Sequence, residues 1–360
     1  MHLIARINRG GTATWLDGLT KGLRDQNIET ALVAGYCPEN EIEDSCFQAL
    51  GGIRVENLGR KLSLLNDLRA FFEIRKIIKD FKPDILNTHT AKAGALGRIA
   101  AKSLIRNQPR IVHTYHGHVL TGYFNNVTSK IFRIIEQILA LITDLFLVTG
   151  EKVKQDLLEM GIGEKNKYRC VNPGIRILKK HNKDTIKSKY QITKSVLIVG
   201  WMGRLTAIKQ PEMFLDLAKT FPNIQFLIAG EGELKPKLEF LAGKNIKFLG
   251  WMDTAEMWSM VDIGVLTSEN EGKPMSVVEA AQIGVPMIAH NVGAISEMVI
   301  DNSTGLLFNE ESELIPKLNM LINDANLRQE MGAKAREFAL LEYGMQQFID
   351  SHIKIYKELL

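Results

Sequence analysis

Short apolar runs alternate with amphipathic helical stretches along the whole chain, and this alternation limits the folds that the chain can adopt. A short apolar run bounded by turn residues is typical of a buried strand, whereas apolar residues three or four positions apart predict a helix with one buried face. A regular series of the two predicts parallel sheets with helices on both faces, the α/β class. The strand-like runs are 2–7, 30–34, 84–88, 110–114, 145–149, 196–201, 224–229, 246–249, 262–266 and 285–289. The helical patterns include 12–24, 64–81, 91–105, 128–141, 211–220, 276–283 and 313–322.

This number of strand-like runs is too large for one comfortable open sheet, so two doubly wound, Rossmann-like domains are expected. The segment 176–195 is polar and basic, and we interpret it as the linker between domains 1–175 and 196–340. The closing segment 341–360 is expected to form a helix that crosses back to the first domain. Ligands of doubly wound sheets bind beyond the carboxyl ends of the strands, so the sequence predicts a site in a cleft between the domains.

Composition excludes several other classes of protein. The net charge of +4 does not favour a nucleic-acid partner. Cys37, Cys46 and Cys170 are an odd number without metal-like spacing, which predicts a reduced, cytoplasmic chain. The first residues lack the long apolar stretch of a signal peptide. The most apolar stretch, 131–149, contains too many polar side chains to predict a membrane span.

A basic group follows the strand-like run at 196–201. Arg204 offers a planar guanidinium that matches phosphate oxygens, and Lys209 offers a mobile point charge. Gly203 would let the backbone approach a ligand closely. Taken alone, the group is equally typical of a solvated turn, since exposed cations are common.

Two glutamates, Glu271 and Glu279, flank the predicted start of a helix with seven residues between them. Glu271 then lies on the preceding loop and Glu279 lies about two turns into the helix. The amides of Met275, Ser276 and Val277 have no partner within such a helix, and a helix N-terminus attracts anions. Two acceptors around an anion site suit a ligand with a phosphate core and hydroxyls at both ends, such as a nucleotide sugar. A capping charge and an ordinary helix carboxylate are the alternatives for the two residues.

With these motifs combined, the chain resembles the retaining glycosyltransferases of family 4, which have the two-domain GT-B fold. The matching motifs are Gly-Arg-Leu-x-x-x-Lys at 203–209, Ala-Gly-Glu-Gly-Glu at 229–233, Glu-x7-Glu at 271–279, Ala-x-x-Gly-x-Pro at 281–286, Gly-x-x-x-Glu at 293–297 and Thr-Gly-Leu-Leu-Phe at 304–308. Their order and spacing agree over about a hundred residues, mostly in the second half of the chain.

The resemblance implies a role for each of these residues. Arg204 and Lys209 would hold the donor diphosphate, Glu271 would bind sugar hydroxyls, and Glu279 would accept both ribose hydroxyls. The donor-binding set that it implies is Gly11, Gly203, Arg204, Lys209, Glu271, Gly272, Met275, Ser276, Val277 and Glu279. The catalytic set that it implies is His116, Arg204, Lys209 and Glu271.

The first half carries a smaller set of candidates. Gly11 follows the first strand and opens a helix, at the place where the family has a glycine-rich loop; a plain turn is the alternative. His89 ends a strand and is about as typical of a structural histidine as of a site residue. The resemblance places His116 at the donor sugar near the reacting carbon, and His118 on the acceptor side or in a structural role. The chain has no Asp-x-Asp motif, so no metal is expected.

The helical segment 64–82 combines an apolar stripe with five basic residues. Packing of the stripe against the sheet is the favoured interpretation, and contact of the helix with an anionic membrane surface is the alternative; the two are compatible if the cations face the lipid. The string His-Gly-His-Val-Leu-x-Gly-Tyr-Phe from 116 resembles family members that build bacterial surface polysaccharides.

The sequence therefore predicts a GT-B glycosyltransferase without cofactor or metal. It would transfer a hexose-type sugar from a nucleotide diphosphate, with UDP as the expected nucleotide, to a glycan or lipid-linked acceptor, with retention, in the cytoplasm or at the inner membrane face. A nucleotide-sugar epimerase of the same fold and a non-catalytic nucleotide-sugar binder are the alternatives. A Rossmann oxidoreductase is disfavoured because no Gly-x-Gly-x-x-Gly follows a strand.

Overall fold

A computed structural model of the chain describes residues 1–39, 41–59, 61–117, 126–193 and 196–360. The chain divides into two compact units. The first unit comprises Met1–Ile175 and Met345–Leu360, and the second comprises Arg176–Gly344.

Strands and helices alternate in both units. The strands of the described chain are β1 His2–Ile4, β2 Leu32–Ala34, β3 Ile53–Arg54, β4 Ile85–His89, β5 Arg110–Tyr115, β6 Leu145–Val148, β7 Tyr168–Cys170, β8 Ile198–Met202, β9 Gln225–Ala229, β10 Ile246–Gly250, β11 Ile263–Leu266, β12 Met287–His290 and β13 Gly305–Phe308. The α-helices are α1 Gly11–Asp25, α2 Cys46–Ala49, α3 Leu64–Phe81, α4 Ala91–Lys102, α5 Asn126–Leu141, α6 Glu151–Glu159, α7 Lys183–Lys189, α8 Pro211–Thr220, α9 Lys235–Leu241, α10 Thr254–Met260, α11 Met275–Ile283, α12 Leu314–Asn323, α13 Ala325–Glu342 and α14 Met345–Leu359. Single 3₁₀ turns lie at Lys165–Lys167, Ala207–Lys209, Ile295–Glu297 and Glu311–Glu313.

Each unit is built on one parallel sheet. Within the described residues, the strand order of the first sheet is β3-β2-β1-β4-β5-β6-β7, and that of the second is β10-β9-β8-β11-β12-β13. The strand order reverses between β1 and β4 in the first sheet and between β8 and β11 in the second. Such reversals open a crevice at the carboxyl ends of the strands, where doubly wound domains bind ligands. The predicted α/β class with two doubly wound sheets is confirmed.

The C-terminal helix α14 packs on α1 within the first unit, and two glycines of α1 make this contact close. A Cβ atom on Gly18 would lie 2.6 Å from Met345 Cε, and one on Gly22 would lie 2.1 Å from Ile349 Cδ1. Gly18 and Gly22 are four positions apart, so they lie on the same face of α1. The end of the chain thus covers the same face of the first sheet as α1 does.

A buried ion pair joins α4 to α5. The fully buried Arg98 donates from one nitrogen to both carboxylate oxygens of Glu136, at 2.9 and 2.8 Å. The Tyr115 hydroxyl donates to the same carboxylate at 2.8 Å. Glu136, one of the polar residues that interrupt the apolar stretch 131–149, is therefore satisfied inside the unit. Among the helices of the described chain, none is long and apolar enough to cross a membrane.

The structure adds elements that the sequence pattern does not predict. Strand β3 has two half-buried residues and β7 has a single buried one, so neither shows an apolar run; both lie at sheet edges. Strand β13, also at an edge, lies in the motif at 304–308. The segment 176–195, interpreted from the sequence as a linker, contains helix α7, which contacts α10 in the second unit.

Candidate functional site

In the second unit, the loop after β8 is tied to the loop after β11. The Thr267 hydroxyl accepts a hydrogen bond from the indole of Trp201 at 3.0 Å and donates one to the Lys209 carbonyl at 2.8 Å. The Glu269 amide donates to the Ile208 carbonyl at 2.9 Å. These bonds hold the 3₁₀ turn Ala207–Lys209 beside the start of the β11 loop, and the ammonium of Lys209 forms an ion pair with Glu271.

Glycines from two further loops pack against this arrangement. Gly230 has a φ of +131°, and a Cβ atom there would lie 1.9 Å from the Gly203 carbonyl oxygen. Gly293 has a φ of +55°, and a Cβ atom there would lie 1.8 Å from the Glu271 carbonyl oxygen. Both positions therefore require glycine for conformation and for space. The motifs at 229–233 and 293–297 thus support the backbone of Gly203 and Glu271.

Helix α11 begins at Met275, shortly after Glu271 in the same loop. Its N-cap is Pro274, and no side chain in the described part of the chain caps the first turn. Just before it, the Lys273 ammonium lies 2.9 Å from the Glu297 carboxylate, which explains the glutamate of the motif at 293–297. The Val277 amide donates to the Pro274 carbonyl at 3.2 Å. It is therefore already paired, whereas the sequence analysis expected it to be free. The amides of Met275 and Ser276 remain the anion-binding candidates of this turn.

Glu279 lies on α11 and is only 9% exposed. Burial, followed by the nearby negative charge of Asp253, raises its pKa to about 7, and the neighbouring Trp258 opposes this rise. The indole nitrogen of Trp258 is buried and has no hydrogen-bond partner in the described chain. Glu279 is therefore a carboxyl group whose charged form is disfavoured by its surroundings.

The remaining second-unit candidates lie on the same two loops. Arg204 is partly exposed, and its guanidinium makes no hydrogen bond or ion pair with any residue that the structure describes. Gly272 is buried next to Glu271. The hydroxyls of Thr206 and Ser268 are buried without a partner in the described ranges, at the carboxyl ends of β8 and β11. Buried polar atoms without partners are uncommon, and here they lie where a polar ligand would be bound.

In the first unit, the candidates also lie at the carboxyl ends of the strands. Gly11 is the first residue of α1 and follows Gly10, which has a φ of 145°. His89 is the last residue of β4, and His116 follows β5. His89 Nδ1 lies 3.0 Å from His116 Nε2, so the structure brings these two predicted residues together. His118 lies outside the described residues.

Three residues that the sequence analysis missed complete this cluster. His2 Nδ1 lies 3.2 Å from His89 Nε2. The ring of Trp15 contacts His116 edge-on at 4.8 Å between centroids, and it contacts His352 at 5.1 Å. His2 and His352 stand near the two ends of the sequence, where no motif pointed to them. Only the pairing of β1 with β4 and the contact of α14 with α1 bring them in.

The histidines of this cluster are neutral at ordinary pH. Burial lowers the pKa of His2 and of His89 well below the usual value, and neighbouring positive groups lower both further. Burial, with a smaller contribution from His352, lowers the pKa of His116 to about 4. In the described ranges, no group of three or more His, Cys, Asp or Glu side chains is arranged to hold a metal ion.

The double role of Thr267 gives a direct test of the tie between the loops. Thr267→Val leaves the Trp201 indole and the Lys209 carbonyl without their partner, so we expect a loss of about 1–3 kcal/mol in the free energy of unfolding. Thr267→Ser keeps the hydroxyl and should cost much less. Urea denaturation of the three proteins measures the difference. Unchanged stability of Thr267→Val would show that the two hydrogen bonds do not hold the loops together.

Comparisons with known proteins cover both units. The sequence profile described as Glycosyltransferase Family 4 matches residues 9–177, and the profile described as Glycosyl transferases group 1 matches residues 182–338. The second match includes the motifs at 203–209 and 271–279, and the first includes Gly11, His89 and His116.

Relatives and solved structures agree with these matches. The O-antigen biosynthesis glycosyltransferase WbnH of Escherichia coli is 29% identical over 95% of each chain. The UDP-Gal:alpha-D-GlcNAc-diphosphoundecaprenol alpha-1,3-galactosyltransferase of Escherichia coli is 27% identical over 74% of this chain and 73% of its own. Anabaena HepE, solved in complex with UDP and glucose, shares the fold, with a TM-score of 0.83 at 18% identity over 99% of each chain. The chain belongs to the glycosyltransferases of family 4.

Proposed function

We propose that this glycosyltransferase transfers a sugar from a UDP-sugar to a hydroxyl of a glycan or lipid-linked acceptor, with retention at the anomeric carbon. The observation that carries the proposal is the tie between the loops after β8 and β11, which sets Lys209 and Glu271 beside the N-terminus of α11. One ammonium group, one carboxylate and uncapped amides suit a diphosphate that carries a sugar.

The names of related proteins support both substrates. The Escherichia coli relative is named for a UDP-galactose donor and a diphosphoundecaprenol-linked acceptor, and WbnH is named for O-antigen biosynthesis. HepE was solved with UDP and glucose. These names favour sugar transfer in surface-polysaccharide synthesis over the epimerase and the non-catalytic binder.

Lys209 has a specific task in the proposed reaction. Its ammonium pairs with Glu271, so a diphosphate that approaches Lys209 competes with that carboxylate and leaves it available to sugar hydroxyls. The sugar–phosphate C–O bond breaks and the acceptor oxygen bonds the same carbon on the same face. A phosphate oxygen of the departing UDP takes the acceptor proton. Lys209, Arg204 and the α11 amides stabilise the negative charge that develops.

We propose that these cations take the role that a metal ion plays in other enzymes of nucleotide-sugar chemistry. In its ionised form, Glu279 would accept hydrogen bonds from the two ribose hydroxyls. The assignment of His116 to the sugar near its reacting carbon stays a prediction.

The donor and the role of Lys209 can be tested together. In a thermal-shift screen of UDP-, GDP- and ADP-sugars, we expect only UDP-sugars to raise the melting temperature, because they alone should bind. With the UDP-sugar that is hydrolysed or transferred, Lys209→Ala should lower kcat by roughly 10²-fold, since one charge on the leaving group is lost.

Lys219→Ala, which removes an exposed lysine of α8, is the matched control and should keep full turnover. Turnover should also persist in EDTA. A larger thermal shift with GDP- or ADP-sugars would contradict the choice of nucleotide. Full activity of Lys209→Ala would contradict its role, and loss in EDTA that manganese restores would contradict the metal-free mechanism.

The raised pKa of Glu279 predicts a pH-dependent affinity. A carboxyl group with a pKa of about 7 becomes protonated below that pH, where one of its oxygens donates and it accepts less well from the two hydroxyls. We therefore expect the affinity for UDP-glucose to fall by up to about tenfold per pH unit below 7, towards that of Glu279→Gln, and to level off above it. Calorimetry with UDP-glucose measures this cleanly, because both of its phosphates are esterified and do not titrate in this range.

Glu279→Gln should bind more weakly and lose the pH dependence. Glu330→Gln, which changes an exposed carboxylate on α13, is the control and should retain it. An unchanged pH profile in Glu279→Gln would show that another group titrates.

We also propose that the first unit contacts an anionic membrane, where lipid-linked acceptors reside. Helices α3 and α5 both contact α4, and both carry exposed apolar side chains. Leu64 on α3 is 93% exposed and Leu141 on α5 is 81% exposed. The exposed apolar residues are Leu64, Leu65, Leu68 and Phe72 on α3 and Ile131, Ile134, Ile135, Ile138 and Leu141 on α5. The exposed cations beside them are Arg69, Lys76, Lys79, Lys130 and Arg133. This combination is typical of helices that lie in an anionic interface.

Vesicle sedimentation tests the membrane contact. The triple variant Leu64→Ser, Leu65→Ser, Leu68→Ser should reduce partitioning onto phosphatidylglycerol vesicles by about tenfold or more, since each leucine contributes about 1–2 kcal/mol when buried in lipid. The matched control is Phe240→Ser with Leu341→Ser, two exposed apolar residues of the second unit. Equal losses in both variants, or binding to neutral and anionic vesicles alike, would contradict the proposed surface.

A further inference from the structure

Three imidazole rings of the first unit form a continuous row. His2 Nδ1 lies 3.2 Å from His89 Nε2, and His89 Nδ1 lies 3.0 Å from His116 Nε2. The rings of His89 and His116 are stacked, with 5.2 Å between centroids and 27° between planes. Both contacts join two ring nitrogens, so each holds one hydrogen that belongs to one of two bases.

The surroundings of the row keep it uncharged. His2 and His89 are buried, and Trp15 covers His89 and His116 edge-on at 5.3 and 4.8 Å between centroids. Within the described residues, the titratable groups that face the three rings are the Met1 amino group, His113 and His352, none of which supplies negative charge. A protonated ring would therefore stand in an apolar site without a counter-charge.

Neutrality restricts the row to two arrangements of protons. A neutral imidazole donates from one nitrogen and accepts at the other. If His2 donates from Nδ1, His89 accepts at Nε2 and donates from Nδ1, and His116 accepts at Nε2 and carries its hydrogen on Nδ1. In the reverse arrangement all three hydrogens lie on Nε2. Any mixture places two hydrogens, or none, in one of the contacts.

We propose that His2, His89 and His116 form a proton relay with a common tautomer, in which His2 and His89 are positioning residues that decide whether His116 Nδ1 donates or accepts a hydrogen bond. When a base removes the Nδ1 proton of His116, the Nδ1 proton of His89 passes to His116 Nε2. The Nδ1 proton of His2 then passes to His89 Nε2, and His2 takes a proton from solvent at Nε2, leaving hydroxide there. The net result is the transfer of one proton from solvent to the base. Each ring is neutral with one hydrogen before and after the transfer.

The two ends of the relay lie in different surroundings. His116 follows β5 at the carboxyl end of the sheet. His2 lines a cavity of about 320 Å³ together with Met1, Asn87, Tyr356 and Lys357. Most of the lining is apolar, but Thr30, Asn87 and Tyr356 offer polar atoms to a water molecule, which would supply or accept the proton at His2. The relay lies within the first unit and does not depend on the identity of the sugar donor.

The unsubstituted protein gives the first test. Long-range ¹H–¹⁵N NMR of the full chain with ¹⁵N-labelled histidine reports which nitrogen of each ring carries hydrogen. At pH 7 we expect His2, His89 and His116 to be neutral and to share one tautomer, all on Nδ1 or all on Nε2. Different tautomers within the row, or a charged ring, would overturn the proposal.

Two substitutions of His2 separate the relay from a packing role. His2→Phe keeps the ring but removes the nitrogen that faces His89, so the tautomer populations of His89 and His116 should change. His2→Asn places an amide at the position of Nδ1, so His116 should keep a single tautomer. His181→Asn in the second unit is the control and should leave the His116 signals unaltered. Unaltered His116 signals in His2→Phe would overturn the relay, and this result is independent of whether the protein transfers any sugar.

Discussion

The candidate donor site depends on the hydrogen bonds of one threonine. Thr267 joins the indole of Trp201 to the carbonyl of Lys209, and the buried indole cannot turn to water instead. A parallel sheet brings the loops after β8 and β11 to the same edge, but it does not by itself fix where their side chains lie. The bonds through Thr267 reduce this freedom until an ammonium and a carboxylate from separate loops meet. Gly293, packed on the Glu271 backbone, fixes the same carboxylate from another side.

Much of this arrangement could be predicted from the sequence, because two different periodicities separate strands from helices. The runs at 196–201 and 262–266 lie within two residues of β8 and β11, and α11 begins one residue before its predicted start. Lys209 and Glu271 were both expected to bind the donor, but their ion pair was not expected. Their meeting depends on β8 and β11 being neighbours in the sheet, and strand order is not written in a local pattern. The short edge strands β3 and β7 bury too few side chains to show a periodicity.

The histidine row shows the same limit in the first unit. His89 and His116 end or follow strands, so the sequence identified both as candidates. His2 joins them only through the register that sets Ile4 beside His89, and His352 joins them only through the docking of α14. Three side chains that usually titrate near neutral pH are here neutral hydrogen-bonding groups, because the described residues around them bury the rings and provide no counter-charge. His2 and His89 are 87 positions apart in sequence, and only the fold brings their rings into contact. That contact changes their chemistry.

The buried pair of Arg98 and Glu136 has a consequence for the opposite side of α5. That helix carries exposed isoleucines on its outer face, whereas its inner face buries Glu136 beside Leu139 and Ala140, so a rotation by half a turn about its own axis would bury the isoleucines. Such a rotation would separate Arg98 from Glu136 and leave a guanidinium buried without its partner, at a cost of about 3–5 kcal/mol. The ion pair therefore acts as a rotational lock. It fixes the rotation of α5 and so keeps the exposed isoleucines on the outer surface of the first unit.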